Sequence, residues 1–238
     1  MLVDGSVRRP VRAWTKTVHA LLRHLEQRGF SGAPRALGID DRGREVLSYL
    51  KGEAVGDSLP WPAWTHSGAA LDDVGRWLRE YHRAVADHVP AVDAVWREGE
   101  VWKQGLIIGH GDPVPYNAVW DRGGLVGFID WDMAGPVASE DDLAWLAFSW
   151  TPLHARAVVA REGFTEFSER RARLERLLNA YGWEGTTEDV LRRIEARLRH
   201  RADAIRATAE GGDPVYQQML ASGLDRLLEC ARKNLASL

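Results

Sequence analysis

Between Ile107 and Leu146 the chain reads IIGHGDPVPYNAVWDRGGLVGFIDWDMAGPVASEDDLAWL, a stretch dense in polar groups that a fold has little structural reason to keep. Leu106, Ile107 and Ile108 form a short apolar run of strand type that ends at Gly109. The loop after it carries His110, Gly111, Asp112, Pro113 and Pro115, and its two prolines withhold the backbone donors that a helix or central strand would use. Asn117 closes the loop. Ala118 to Trp120 and Leu125 to Ile129 then make two apolar runs joined by Asp121-Arg122-Gly123-Gly124, whose glycines can take the positive φ of a hairpin turn. Asn117 therefore enters the hairpin and Asp130 leaves it. Adjacent antiparallel strands lie about 4.8 Å apart, so both side chains are expected at the open end of the hairpin, facing the loop of Asp112.

Two carboxylates and an amide on one rim match the needs of magnesium-dependent phosphoryl transfer. The metal takes one or two hard protein oxygens and leaves its other positions to water and phosphate, while the acceptor hydroxyl needs a separate acid/base group. The order His-x-Asp-x-x-x-x-Asn, a hairpin, then Ile129-Asp130-Trp131 resembles the catalytic and metal loops of the protein-kinase-like phosphotransferases. With Gly135 and Asp142-Leu143-Ala144 it is similar to their aminoglycoside phosphotransferase and choline kinase branch. The resemblance implies Asp112 as catalytic base, Asn117 and Asp130 as Mg²⁺ ligands, and His110 and Asp142 as supports of loop geometry. Asp132 stands either as a further ligand, which the family pattern does not require, or as a solvated loop carboxylate.

The remainder of the chain sets the frame. A length of 238 residues suits one domain or two closely packed lobes. Hydrophobic residues at 45% and charged residues at 27% place it with globular proteins and away from disordered chains. A net charge of -3 supplies no field for nucleic acid. A lone cysteine, Cys230, excludes an intramolecular disulfide and a multi-cysteine metal site, and its spacing reads as a small core residue. No apolar run reaches membrane-span length and the start lacks a signal-peptide core, so the expectation is a cytoplasmic protein without membrane contact.

Toward the amino end, Val3 to Pro10 reads as a turn and a short strand. Trp14, Val18, Leu21, Leu22 and Leu25 share one helical face over about Thr15 to Arg28, with Thr15 as a cap and Gly29 as the stop. Arg35 to Ile39 and Arg44 to Leu50 pair across Asp40-Asp41-Arg42-Gly43 as a hairpin, and Lys51-Gly52 reads as a hinge. Downstream, Gly68 to His88 and Asp141 to Trp150 are helical, and Tyr81-His82 carries a packed histidine. The tail has helical stripes through Phe164 to Tyr181 and Val190 to Ile205, the second opened by a Thr186/Asp189 box. A last helix runs from Asp213-Pro214 through Ala231.

Strand, helix, hairpin and hinge in that order resemble the second half of a kinase upper lobe. The expected class is α+β: a protein-kinase-like two-lobed fold with a truncated β-rich lobe over residues 1–52, of three to four strands, and a mainly helical lobe over 53–238. In the upper lobe the resemblance implies nucleotide contacts from Arg8, with Arg9 as the other candidate for the phosphate-binding lysine position, and from Tyr49. The glutamate that pairs with that lysine should fall near Val18, where neither Val18 nor His19 is acidic. The wording V-R-R-P, W-T-x-x-V-H-A-L-L-R-H-L and G-R-E-V-L-S-Y-L is also similar to a bacterial branch labelled trifolitoxin-immunity-like. The function implied is an ATP- and Mg²⁺-dependent phosphotransferase acting on a hydroxyl of a small-molecule acceptor. A catalytically impaired, kinase-shaped binding or immunity protein is the alternative, while a metal hydrolase built on His110, Asp112 and Asp130 leaves Asn117 unused. Acids of the last helices, Asp203, Glu210 and Asp213, stand either as contacts for a cationic acceptor or as a solvated face.

Overall fold

The computed structural model describes every residue except Met1, Asp4, Asp57, Ala236 and Ser237, together with the side chain of Val3. The amino-terminal part is built on one antiparallel sheet. Strands β1 (Leu2–Val3), β2 (Ser6–Pro10), β3 (Ala36–Ile39) and β4 (Arg44–Ser48) lie in the order β1-β2-β4-β3. The pairing β2 to β4 sets Arg9 directly opposite Glu45. Helix α1 (Thr15–Gln27) crosses between them and buries Val18, Leu21, Leu22 and Leu25 almost completely. Thr15 does not cap it: the cap position is Trp14, and the Thr15 hydroxyl accepts instead from the Arg12 amide at 2.9 Å.

After the hinge the chain joins the lower part at once. Strand β5 (Glu53–Ala54) pairs with β7 (Ala118–Asp121), which forms the expected hairpin with β8 (Gly124–Phe128). Helix α2 (Gly68–Val85) starts on a Ser67 cap, with the Ala70 amide 3.1 Å from the hydroxyl. Strand β6 (Ile107–Gly109) pairs with β9 (Gly135–Val137), and Gly109 faces Gly135. This two-stranded unit ties the chain before the Asp112 loop to the chain after Asp130.

The carboxyl-terminal part is helical: α3 (Ser139–Trp150), α4 (Arg156–Arg161), α5 (Arg170–Tyr181), α6 (Thr187–Glu210), α7 (Pro214–Ala221) and α8 (Leu224–Leu235). The box before α6 forms in both directions between Thr186 and Asp189, and Asp213 caps α7. The single last helix of the sequence reading is two helices, because Gly223 takes φ +77° and breaks the run after Ser222. The break also changes the phase of the second piece: α8 buries Asp225, Leu228, Ala231 and Leu235, and Cys230 is exposed rather than in the core. No helix among the described residues is long and apolar enough to cross a membrane.

The core centre lies under the hairpin. Trp77 and Tyr81 of α2 stack at 5.3 Å, Phe128 of β8 stands 4.5 Å from Trp77, and Trp131 meets Tyr81 edge-on at 5.4 Å. These rings contribute much of the apolar burial that holds sheet to helices, and they form the floor on which both site loops rest.

Candidate active site

The loop from His110 to Asn117 is held at several points. His110 is fully buried, with Trp131 at 4.3 Å, and burial pushes its pKa down to about 4. The neutral ring accepts the Asp112 amide at Nδ1, 3.3 Å away. Gly111 sits at φ +80°, and a Cβ there would stand 1.9 Å from the Met133 carbonyl oxygen. Only glycine lets this backbone lie against the turn that follows Asp130. Farther along, the Trp150 indole donates to the Pro113 carbonyl at 2.8 Å, and the Asn117 amide closes a tight turn on Val114 at 3.0 Å.

Asp112 and Asn117 are thereby brought side to side. The Asn117 side-chain nitrogen donates to the Asp112 carbonyl and to Asp112 Oδ2, both at 3.0 Å, and the Tyr116 hydroxyl donates to Oδ2 at 3.1 Å. Burial pushes the Asp112 carboxyl up, and the nearby Asp130 adds to this. The hydrogen bonds of Tyr116 and Asn117 and the field of Arg201 oppose them, and the net direction is upward. With its nitrogen engaged by Asp112, the Asn117 side chain is fixed in orientation at the rim.

Asp130 is the second residue beyond β8, after Ile129, whose amide donates to the Asn117 carbonyl at 2.9 Å. It adopts φ 60° and ψ 71°, the one positive-φ residue other than glycine among the described residues. Such a conformation costs on the order of 1–3 kcal/mol and persists where surrounding structure imposes it. Its side chain is 54% exposed, open to the cleft. Among the described residues no group of three or more His, Cys, Asp or Glu side chains forms a metal cage. The donors at the rim, one amide and one carboxylate oxygen, are hard and few, which fits the limited protein share of a magnesium shell.

Asp142 lies beneath, fully buried at the start of α3. It accepts from His82 Nε2 at 3.1 Å, and His82 Nδ1 accepts from the Tyr181 hydroxyl at 2.9 Å. Its other oxygen lies against Gly109, where a Cβ would meet it at 2.6 Å. Tyr81 donates to the Ile108 carbonyl. The packed histidine and the buried aspartate thus join α2, α3 and α5 under the strand that launches the Asp112 loop.

From the upper sheet, the arginine that faces these aspartates is Arg9. Its Nη1 lies 3.3 Å from Asp130 Oδ1 and its Nη2 2.7 Å from Asp132 Oδ1. Asp132 is accordingly a paired side chain, 18% exposed, and not a solvated one. Arg8, the first choice of the sequence reading, pairs with Asp40 at 3.4 Å and donates to Ser6 at 2.6 Å. Successive strand residues point to opposite faces, so one arginine reaches the cleft aspartates and its neighbour reaches the hairpin turn. Tyr49 is half-exposed beside the hinge, its hydroxyl donating to the Gly52 carbonyl at 3.0 Å. Glu45 and Tyr116 join the site without having been singled out in the sequence. Of the tail acids, Asp203 pairs with Arg206 at 3.2 Å and Asp213 is the α7 cap.

A model of the family described as "Phosphotransferase enzyme family" matches residues 91–175, the segment holding both site loops. The trifolitoxin immunity protein of Rhizobium leguminosarum bv. trifolii is 38% identical over 183 residues, 75% of this chain and 68% of that protein. Solved structures share the fold at low identity. An amicoumacin kinase in complex with AMP-PNP, Ca²⁺ and Ami superposes with a TM-score of 0.61 at 12% identity, over 97% of this chain and 80% of the other. A choline/ethanolamine kinase family protein from Mesorhizobium loti gives 0.59 at 16% identity, over 99% and 87%. The GDP complex of an aminoglycoside 2'-phosphotransferase gives 0.58 at 14%, over 98% and 88%. The fold is therefore protein-kinase-like, and the chain belongs to the phosphotransferase enzyme family, in the branch that includes the trifolitoxin immunity protein.

Proposed function

We propose that the protein is an ATP- and Mg²⁺-dependent phosphotransferase acting on a hydroxyl of a small molecule. The observation that carries this reading is the meeting of Asp112, Asn117 and Asp130 on one rim with Arg9 of the upper sheet facing them. Residues 1–52 form the nucleotide-side lobe in this reading and residues 53–238 the lobe of the catalytic and metal loops. Asn117 and Asp130 would hold the metal, and Arg9, with Tyr49 at the hinge, would meet the nucleotide. Mg²⁺ held there would supply neutralisation of charge on the transferred phosphoryl group. Asp112 accepts the proton of the acceptor hydroxyl: it is buried enough to be a stronger base than a solvated carboxylate, and Tyr116 and Asn117 fix its orientation.

The test uses purified protein with ATP, Mg²⁺ and a panel of aminoglycosides, choline-like amines and sugars, with ADP release followed. Acceptor-dependent turnover is expected, and Asp112→Asn should lower it by roughly two to four powers of ten while nucleotide binding remains. A second reading, a kinase-shaped binding or immunity protein without turnover, draws on the 38% identical relative being an immunity protein. It draws also on the Arg9 guanidinium resting on Asp130 and Asp132. Absence of nucleotide binding in the wild type would select it.

A further inference from the structure

Helix α1 offers Arg9 no carboxylate: its one acid, Glu26, pairs with Arg35 at 3.2 Å. The upper sheet supplies one from another element. Glu45 of β4 lies directly across from Arg9 of β2, and its Oε2 accepts from Arg9 Nε. Its Oε1 pairs with His19 Nε2 at 2.9 Å, so strand and helix are joined through one carboxylate. Both Glu45 and His19 are buried, with side chains 1% and 4% exposed. Burial pushes the Glu45 carboxyl up, but the bonds from His19 and Arg9 outweigh it and hold it below the ordinary range. A charge this deep in a strand beside Val46 and Leu47 is a poor packing choice, and pairs of this kind are weak contributors to net stability.

We propose that Glu45 and His19 are positioning residues that hold Arg9 as the phosphate-facing cation of the nucleotide site. The proposal rests on the phosphotransferase reading of the same cleft. With Nε fixed to Glu45, the plane of the guanidinium is set and its two terminal nitrogens project into the cleft as a fork. In the present state the fork spans Asp130 and Asp132. The same fork matches two oxygens of a phosphate, which is what distinguishes arginine from lysine at such a position. An Arg9 held at Nε by Glu45 can thus pass its terminal nitrogens from Asp130 and Asp132 to phosphate without losing its place in the cleft.

Nucleotide affinity is measured by calorimetry, and the Mg²⁺ midpoint by nucleotide-dependent thermal shift, for wild type, Glu45→Gln, Glu45→Asp, Arg9→Met and the Arg9→Met/Glu45→Gln double variant. Glu45→Gln is expected to weaken Mg²⁺-nucleotide binding about tenfold or more and to raise the Mg²⁺ midpoint, because a guanidinium that loses the Glu45 charge keeps Asp130 and Asp132 as its remaining carboxylate partners and is no longer oriented toward phosphate. The acceptor KM should stay unchanged, and the double variant should bind no more weakly than Arg9→Met alone. Glu45→Asp, which keeps the charge and shortens the reach, should fall between; it decides the matter if Glu45→Gln does not fold. Wild-type affinity and midpoint in both Glu45 variants, or additive losses in the double variant, would overturn the proposal. A wild type that binds no Mg²⁺-nucleotide overturns both this and the phosphotransferase reading. Nucleotide binding with the expected Glu45 coupling but without acceptor turnover overturns only the latter.

Discussion

Gly111→Ala is the substitution that tests how the two acidic loops are coupled. Gly111 holds φ +80°, and an added Cβ would lie 1.9 Å from the Met133 carbonyl oxygen and 2.6 Å from its carbon. These are backbone atoms of the turn Trp131–Met133 that follows Asp130, so no side chain can swing away. The left-handed conformation costs an alanine roughly 1–2 kcal/mol, and forcing packed backbone apart costs roughly 1–3 kcal/mol more. Reduced freedom of the unfolded chain returns about 0.4–1 kcal/mol, leaving a loss of about 1–4.6 kcal/mol. For a chain of this size that corresponds to a Tm lower by roughly 2–18 °C. Relief must come from moving the Asp112 loop away from the Asp130 turn, and misplacement by about 1 Å can cost on the order of a hundredfold in rate. Differential scanning calorimetry and ADP-release kinetics on one preparation measure both. An alanine variant within 2 °C of wild type in Tm, as a rough margin, would refute the coupling.

Asp112→Asn is expected to melt at or above the wild-type temperature at pH 7. A carboxyl raised in the folded state binds its proton more tightly there, so the ionised form opposes folding above the ordinary carboxylate pKa, and the gain should vanish in acid where the wild type is protonated in both states; a lower Tm at pH 7 would contradict the upward shift. His82→Ala strands Asp142 in the core without its imidazole and should lower stability in urea by roughly 3–5 kcal/mol, a loss much smaller than 2 kcal/mol counting against a supporting role. Cys230, exposed on α8, should react with a thiol reagent in the native protein at stoichiometric yield; labelling only after denaturation would return it to the core.

What could be read from the sequence follows the distance over which each feature is determined. The Asp112 loop, the hairpin and Asp130 lie within one continuous stretch whose turns are set by local glycines and prolines, and the rim assembles as their spacing implies. Pairings that close over long separations were not legible. Strand β9 is three residues with proline at its centre, visible only once Gly135 meets Gly109. Which of Arg8 and Arg9 faces the cleft depends on the register of β2 against β4, which no local signal encodes. Glu45 is a glutamate inside an apolar strand, and its part in the site shows only when Arg9 stands opposite. The phase of α8, and with it the exposure of Cys230, hangs on Gly223 adopting positive φ.

Charge at the rim couples these residues to one another. Asp112, Asp130 and Asp132 gather on one wall, and Arg9 is the cation that reaches two of them while remaining tied to Glu45. Part of the upward push on Asp112 comes from Asp130. In the proposed phosphotransferase a divalent cation held by Asp130 would remove that part, and would release the Arg9 fork from a carboxylate it holds at 3.3 Å, at the place where a phosphate-bearing ligand would bring anionic oxygens. Cation and nucleotide are therefore expected to bind with positive coupling, each making the other's partners available. A binding protein that used this cleft only as a surface would have no reason to show it.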